Sequence, residues 1–328
     1  MSTIFISTFT MMQSSKIYVA GHNGLVGSAI IRALNAHGYH TIITRTHAQL
    51  DLCRQQAVED FFAQEQPEFV FLAAARVGGI LANSTYPVEF LYDNVMIALN
   101  ILRAAQCYGT RKVLFLGSSC IYPRDCLQPI REDYLLTGPL ETTNQWYALA
   151  KITALKLCEA ISIQYSGQPE ALRCVAAMPT NLYGVGDTFD AQLSHVIPAL
   201  IMKIIDAKEK GLEEIVLWGT GSALREFLYV DDLAEALIVL MQSNAKDPWI
   251  NIGSGEEYSI KDLAHIIAQE ADYKGKITFD HYHPDGTPRK LLDVSRMIEY
   301  GWQPKTSLRE GLRKTIAWYY EERLKRRI

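Results

Sequence analysis

The sequence predicts an α/β protein, with a doubly wound parallel sheet and a smaller C-terminal α/β domain. Short, continuously apolar segments alternate with helical patterns through the first half of the chain. A glycine-rich turn stands between the first apolar segment and the first helix, and the alternation loosens after about residue 182. Continuously apolar strands that alternate with helices are typical of a parallel sheet covered by helices on both faces.

Each element of the first half follows from this alternation. The expected strands are the short apolar runs Ile17–Ala20, Thr41–Thr44, Phe69–Ala74, Val113–Gly117 and Cys174–Met178. The expected helices are the longer amphipathic or apolar stretches Gly27–His37, Ala57–Glu65, Val88–Cys107 and Tyr147–Gln164. Ligands of such a fold bind at the carboxyl ends of the strands.

The second half predicts a substrate domain over residues 183–328, after a dinucleotide-binding domain over residues 1–182. Its expected elements are the helices Ser194–Lys208, Asp231–Met241 and Ile260–Ala271, the short apolar run Trp249–Ile252 and the polar loop Tyr282–Lys290. The pattern allows a segment near 223–255 to return to the main sheet. Residues 1–15 are expected to form a disordered tail.

Composition places the chain among ordinary globular proteins. Of its 328 residues, 48% are hydrophobic and 21% are charged, and the formal net charge is −4. This balance gives no reason to expect nucleic acid or an anionic membrane as a partner. Local basic residues must therefore hold any anionic substrate.

The cysteines and the N-terminal sequence favour a cytoplasmic protein. Six cysteines are present, none in a C-x-x-C pair or at zinc-ligand spacing, so no metal is expected. The opening residues lack the basic region and cleavage site of a secretory signal, and no apolar run reaches about 18 residues.

The glycine-rich turn contains Gly21, Gly24 and Gly27. Glycine permits a tight turn and lets the backbone approach a pyrophosphate at a helix N-terminus. The spacing G-x-x-G-x-x-G differs from the commonest dinucleotide fingerprint, but its position between the first strand and the first helix favours a dinucleotide over an empty turn.

The end of the second strand indicates which dinucleotide binds. An acidic residue there accepts a hydrogen bond from the ribose of NAD, but this chain has Arg45 and His47, and Asp51 lies too far along to be the obvious ribose ligand. A basic strand end favours the 2′-phosphate of NADP. The alternative is a solvated arginine.

Tyr147 and Lys151 are four residues apart, so on a helix they share one face. A cation one turn away is expected to lower the phenol pKa from about 10 toward neutrality. Ser118 ends the fourth strand and can donate a hydrogen bond to a substrate carbonyl. Together the three residues form a candidate site for hydride transfer, in which Tyr147 protonates the oxyanion.

Two further residues are ambiguous from the sequence. Cys120 is either a proton-abstracting base beside a cation or a small buried hydrophobe. His195 is either a proton donor or a structural histidine. Arg225, and the polar loop that contains Lys290, are either anion clamps or solvated surface.

Several long motifs resemble the extended short-chain dehydrogenase/reductase family, from about Lys16 to Trp318. They are the glycine turn, the Ser118/Tyr147/Lys151 triad, Ala73–Ile80, Gly117–Pro123, Met178–Gly184, Ser194–Leu200 and Pro284–Asp293. The family has a Rossmann fold. Within it the chain is similar to bifunctional epimerase-reductases that act on a GDP-linked 4-keto-6-deoxy sugar.

The resemblance implies NADP(H) as cofactor and assigns roles by position. Cys120 would be the base and His195 the acid of two inversions next to the C4 ketone, before reduction at C4. The implied cofactor contacts are Gly21, Asn23, Gly24, Leu25, Val26, Gly27, Arg45, His47, Asp51, Leu52, Ser118, Ser119, Lys151, Pro179, Asn181, Leu182 and His195. The implied contacts to the GDP-sugar are Lys203, Trp218, Arg225, Asp285 and Lys290.

The chain departs from this family pattern at three positions. Some bacterial members carry Arg where it has Asn23, His47 and Lys203. Arg45 is therefore the expected contact for the 2′-phosphate, and Lys203 keeps the charge but not the bidentate geometry of Arg.

Three other interpretations compete with this one: a 4-epimerase, a 4,6-dehydratase and a non-catalytic dinucleotide sensor. The missing Asp-Glu pair beside Ser119 argues against dehydration, and the intact Tyr147 and Lys151 argue against a sensor. Relatives pair their two long helices across a two-fold axis, so a homodimer through a four-helix bundle is expected.

Overall fold

The computed structural model describes residues 10–168, 171–190, 194–282 and 287–326. Its main sheet has six parallel strands in the order β2-β1-β3-β4-β5-β9. These strands are β1 (Ile17–Ala20), β2 (Ile42–Ile43), β3 (Phe69–Leu72), β4 (Lys112–Leu116), β5 (Arg173–Pro179) and β9 (Trp249–Ile252). The predicted doubly wound α/β class is confirmed.

Helices cover both faces of this sheet. One face packs against α2 (Gln55–Glu65), α4 (Pro87–Cys107) and α5 (Gln145–Gln164). The other packs against α1 (Leu25–Ala36) and α7 (Val230–Gln242). Because β1, β3 and β4 are buried along their whole length, their continuous apolar sequences match two covered faces.

A separate hydrophobic cluster is formed by the second half of the chain. It contains α6 (Val196–Glu209), β7 (Glu214–Trp218), β8 (Leu224–Tyr229), α8 (Ile260–Glu270), β11 (Lys276–Asp280) and α10 (Leu308–Arg326). The strand β8 pairs with β6 (Asn181–Tyr183), β10 (Glu257–Ser259) and β12 (Arg289–Lys290), and β7 pairs with β11. Two short helices, α3 (Ile80–Thr85) and α9 (Ser295–Glu299), complete the order.

The segment 230–252 belongs to the main sheet layer. β9 pairs in parallel with β5, and α7 contacts α1 across the sheet face. The chain therefore leaves the separate cluster, returns to the main sheet through α7 and β9, and then enters the separate cluster again at α8.

Residues 10–15 do not form an unpacked tail, so that expectation was wrong for this part of the segment. Met11 is 3% exposed and packs with the cluster under α1, and the Tyr39 hydroxyl donates to its carbonyl oxygen. Residues 1–9 lie outside the described ranges. Within the described ranges, no helix is both long and apolar enough to cross a membrane.

Candidate active site

The glycine turn lies where the strand order reverses, between β1 and β3. A Cβ at position 21 would be 2.7 Å from the Ala74 backbone, and one at position 27 would be 2.0 Å from the Gly21 carbonyl oxygen. At position 24 the same Cβ would meet only that oxygen, at 3.5 Å. The packing of the turn itself thus requires glycine at positions 21 and 27, whereas Gly24 leaves open space in which a ligand can approach the backbone of the turn.

This turn fits a dinucleotide phosphate. Gly24 precedes the first turn of α1, and the first backbone N–H groups of a helix are free to bind an anion. The neighbouring His22 has a buried Nδ1 with no hydrogen-bond partner among the described residues. These features match the cradle that a dinucleotide needs.

The predicted phosphate contact at the end of β2 is engaged elsewhere. The Arg45 guanidinium donates to Glu65 at 2.6 Å and to the Thr44 carbonyl, and it lies over the Phe61 ring. His47 is exposed. A 2′-phosphate would have to compete with Glu65 for Arg45.

The loop after β2 also has internal partners. Asp51 accepts from the Cys53 N–H at 3.0 Å, and the Leu52 carbonyl accepts from Asn100 at 2.9 Å. The buried Asn94 holds the loop after β3 by accepting from the Arg76 N–H and donating to its carbonyl oxygen. The sequence analysis assigned no role to these two asparagines.

Ser118 and Cys120 lie directly after β4, in a 3-10 turn over Ser119–Ile121. The Ser118 hydroxyl oxygen accepts from the Cys120 N–H at 3.3 Å. Cys120 is 8% exposed. Burial raises the pKa of its thiol, while Lys290, the Ser118 hydroxyl and Lys151 oppose this rise, in that order.

Tyr147 and Lys151 reach the same place from α5. The Lys151 ammonium lies 5.5 Å from the centre of the Tyr147 ring and donates to the Leu116 carbonyl at 2.7 Å. Burial raises the pKa of Tyr147, and the neighbouring Cys120 raises it further. Burial lowers the pKa of Lys151 to about 8.

The expected lowering of the Tyr147 pKa by Lys151 is therefore wrong for the structure as described. Burial disfavours the charged phenolate of Tyr147, and the nearby Lys151 ammonium does not offset this effect. The Lys151 ammonium also donates its hydrogen bond to the Leu116 carbonyl oxygen and not to the Tyr147 hydroxyl.

A small cavity of about 60 Å³ adjoins Cys120. Most of its lining residues have polar side chains: Ser119, Cys120, Tyr122, Pro123, Arg124, Gln128, Ile130, Glu141, Asn144, Thr287, Arg289 and Lys290. The structure thus brings Cys120 together with Lys290, which is distant in sequence.

His195 immediately precedes α6 and is exposed. Although the residue is exposed overall, the surrounding protein atoms partly desolvate its ring, and this desolvation lowers its pKa. Within the described ranges, no hydrogen bond or ion pair joins His195 to Cys120 or Tyr147. The structure therefore does not link it to the other candidate catalytic groups.

The candidate GDP-sugar contacts fall into two places. The Lys203 ammonium donates to the Val216 carbonyl on β7, and Trp218 ends that strand with 73% of its surface exposed. Arg225 on β8 lies opposite Lys290 on β12. Asp285 lies outside the described residues.

The remaining candidate cofactor residues follow β5. Pro179 ends that strand and Asn181 donates to the Glu226 carbonyl at 2.9 Å, while Leu182 packs against the core under α1. Ser119 is buried in the 3-10 turn. Asn23 is exposed, and Leu25 and Val26 open α1. Among the described residues, no group of three or more His, Cys, Asp or Glu side chains could hold a metal ion.

A buried polar network behind Cys120 was missed by the sequence analysis. The Tyr122 hydroxyl donates to the Asn251 side chain at 2.6 Å, and Asn251 donates to the Ile130 carbonyl at 2.9 Å. The Asn251 N–H donates to the carboxylate of Glu132, a residue that is 4% exposed. Nothing in the sequence indicates that Tyr122 and Glu132 both contact Asn251, because Asn251 lies 129 and 119 residues further along the chain, respectively.

Known proteins match this architecture over nearly the whole chain. A model of the NAD dependent epimerase/dehydratase family matches residues 17–253. A probable GDP-L-fucose synthase 1 from Oryza sativa subsp. japonica is 52% identical, with 96% of this chain and 95% of that protein covered. The GDP-L-fucose synthase of Escherichia coli is 46% identical, with 94% and 98% covered.

A solved structure agrees in three dimensions. A GDP-L-fucose synthetase from Naegleria fowleri bound to NADP superposes with a TM-score of 0.87 at 27% identity. The alignment covers 96% of this chain and 97% of that one.

Proposed function

The chain belongs to the NAD dependent epimerase/dehydratase family, and from this premise we propose that it makes GDP-L-fucose. Its substrate is GDP-4-keto-6-deoxymannose, which it inverts at C3 and C5 and then reduces at C4. One observation carries the proposal: the Cys120 thiol, a possible base, adjoins the Tyr147 phenol, a possible proton donor, at the end of β4.

The two inversions use the acidity of carbons next to a ketone. Cys120 as thiolate removes the proton from C3 or C5, and the electron pair moves onto the C4 oxygen as an enolate. Ser118 and Tyr147 donate hydrogen bonds to that oxygen. Return of a proton to the opposite face inverts the carbon, and His195 supplies it.

Reduction uses the same oxygen contacts. NADPH, when bound, supplies the hydride that C4 receives. Tyr147 gives its proton to the C4 oxygen, and Lys151 stabilises the phenolate left behind. A raised phenol pKa in the described site keeps Tyr147 protonated until that step.

NADP is the cofactor, in keeping with the Naegleria fowleri relative that was solved with NADP. The glycine turn before α1 would hold its pyrophosphate. Arg45 would be the contact for its 2′-phosphate, in competition with Glu65. We place the enzyme in the cytoplasm, where its free cysteines stay reduced.

We also propose a homodimer through α4 and α5. Their outer surfaces leave Val88, Tyr92, Leu149 and Ile163 exposed, from 37% to 72%. Two copies that pack these helices as a four-helix bundle would cover this surface. The mass in solution tests this: a monomer at micromolar concentration would contradict it, and Leu149→Asp should weaken the dimer.

The decisive experiment mixes the protein with NADPH and GDP-4-keto-6-deoxymannose, follows nicotinamide absorbance and identifies the sugar. Oxidation of NADPH with GDP-L-fucose as product is the expected result. Oxidation that gives only an uninverted 6-deoxyhexose would mean a plain C4 reductase. No oxidation with NADPH or NADH would favour a 4-epimerase, which keeps its dinucleotide tightly bound through purification.

A further inference from the structure

Lys290 is a partly buried cation that forms no ion pair with the residues described in the structure. Its side chain lines the cavity beside Cys120. Among the residues that the structure describes, no hydrogen bond or ion pair reaches its ammonium. The neighbouring Arg289 also lines the cavity, but its guanidinium pairs with Glu257 at 2.8 Å. An unpaired cation in a confined space is costly unless an anion forms beside it.

The backbone around Lys290 is fixed on both sides. The Leu291 N–H donates to the Gln128 side chain at 2.8 Å, and the Leu292 N–H donates to the buried Glu226 carboxylate at 3.0 Å. The Leu291 carbonyl accepts from the Ile130 N–H at 2.7 Å. The fold therefore fixes the backbone next to Lys290.

The electrostatics of the cavity are reciprocal. Burial alone makes a thiolate at Cys120 unfavourable, and of the groups that oppose burial Lys290 is the strongest, ahead of Lys151. Burial lowers the pKa of Lys290, and Cys120 is the strongest of the groups that raise it. Arg225 lowers this pKa further, whereas Cys126 and Glu141 raise it more weakly. Each group thus favours the charged form of the other.

We propose that Lys290 is the electrostatic partner of the Cys120 base and stabilises the thiolate form that removes the substrate proton in the epimerase half of the reaction. In the inversion step the C–H proton passes to the thiolate sulfur and the electron pair moves to the C4 oxygen. No oxidant or further reactant is needed. The inference rests on the proposed function, which otherwise assigns Lys290 only to binding the GDP-sugar.

The first test measures the Cys120 thiolate in the free enzyme, without substrate. The ultraviolet absorbance of the thiolate is titrated against pH, and the titration of Cys120→Ser is subtracted in each background. Lys290→Met should move the Cys120 midpoint upward by about one pH unit, since an opposite charge at short range shifts a pKa by roughly one to three units. Lys290→Arg should keep the midpoint near that of the wild type.

Arg289→Met is the matched control. It removes the adjacent positive charge, but Glu257 already neutralises that charge, so the Cys120 midpoint should not move. An unshifted midpoint in Lys290→Met, or equal shifts in both variants, would overturn the proposal.

The second test measures exchange of substrate protons in D₂O without NADPH. Lys290→Met should take up deuterium at C3 and C5 about tenfold more slowly at neutral pH, the factor that one pH unit in thiolate population gives. Raising the pH should recover the rate, which a purely structural defect would not do. A weaker affinity for the GDP-sugar with an unshifted thiol titration would assign Lys290 to binding alone.

These tests separate the two proposals. Should the wild type neither exchange protons nor oxidise NADPH, the proposed function fails, while the titration still decides whether Lys290 and Cys120 are paired. Because the Lys290 ammonium holds no hydrogen bond in the described structure, Lys290→Met should keep the wild-type melting temperature. A large drop would contradict that geometry, and Lys290→Arg then repeats the test in a folded variant.

Discussion

Gly24 and Gly27 lie in one turn, but we expect their substitution by alanine to affect different properties: Gly27→Ala should lower the stability of the fold, and Gly24→Ala should weaken cofactor binding. At position 27 a Cβ would be 2.0 Å from the Gly21 carbonyl oxygen and 2.6 Å from its carbon. Both atoms are backbone, and Cβ contacts in proteins essentially never fall below 3.0 Å. α1 and β1 would have to move apart by about 1 Å.

This movement has a predictable cost. Overpacking typically costs about 1–3 kcal/mol, and a clash between two backbone segments lies at the upper end. About 3 kcal/mol corresponds to a fall in melting temperature of roughly 5–10 °C for a chain of this size. Gly27→Ala should show this fall in a thermal melt without cofactor.

Gly24→Ala should instead affect the ligand. Its φ of −81° suits any residue, and the new Cβ would be in ordinary contact at 3.5 Å. We expect a melting temperature within about 3 °C of the wild type, because the poorer N-cap that alanine provides costs only about 1 kcal/mol. The methyl group would fill the open side of the turn, so NADPH binding should weaken at least about tenfold, or 1.4 kcal/mol.

NADPH fluorescence titration and thermal melts of both variants test the argument together. A wild-type melt for Gly27→Ala would refute the steric reasoning. Unchanged NADPH affinity for Gly24→Ala would mean that the pyrophosphate does not approach this turn.

Three further outcomes are expected. Cys120→Ser and His195→Gln should still oxidise NADPH but lose GDP-L-fucose as product, as read by sugar analysis; full inversion in both would exclude their roles. Lys112→Met should lower the free energy of unfolding, measured in urea, by about 3 kcal/mol. The reason is that the buried Lys112 ammonium donates to the carbonyls of Leu240, Met241 and Ser243 at 2.7–3.0 Å. An unchanged urea midpoint would contradict this expectation. Burial raises the pKa of Asp187 to about 7, so the wild type should lose stability as pH rises from about 4 to 7. Asp187→Asn should remove this loss: it should melt at a higher temperature than the wild type at pH 8 and at the same temperature near pH 3.5. Parallel profiles of melting temperature against pH for the two proteins would refute this expectation.

The main sheet could be predicted from sequence because its strands are buried on both faces. A continuous apolar run such as Phe69–Leu72 gives that signal directly. The strand β7 gives the weaker alternating pattern, since Glu214, Val216 and Trp218 are exposed on one face, and it was missed. The helix α10 was missed because charged residues surround the apolar positions Leu308 and Leu312.

The site could be predicted only where its residues are close in sequence. Ser118 and Cys120 follow one strand, and Tyr147 and Lys151 share one helix face, so local periodicity is enough to group them. The contact of Lys290 with the Cys120 cavity depends on how β12 joins β8, which is a tertiary pairing. Burial also reverses the expected shift of the Tyr147 pKa, because desolvation is a property of the whole fold.

The two halves of the proposed chemistry are anchored to different parts of the fold. Tyr122, two residues after the Cys120 base, is held by Asn251 of β9, whereas the Lys151 ammonium is held by the Leu116 carbonyl of β4. A change at one anchor can therefore displace the base while the proton donor on α5 stays in place. Inversion and reduction should therefore be separable by single substitutions.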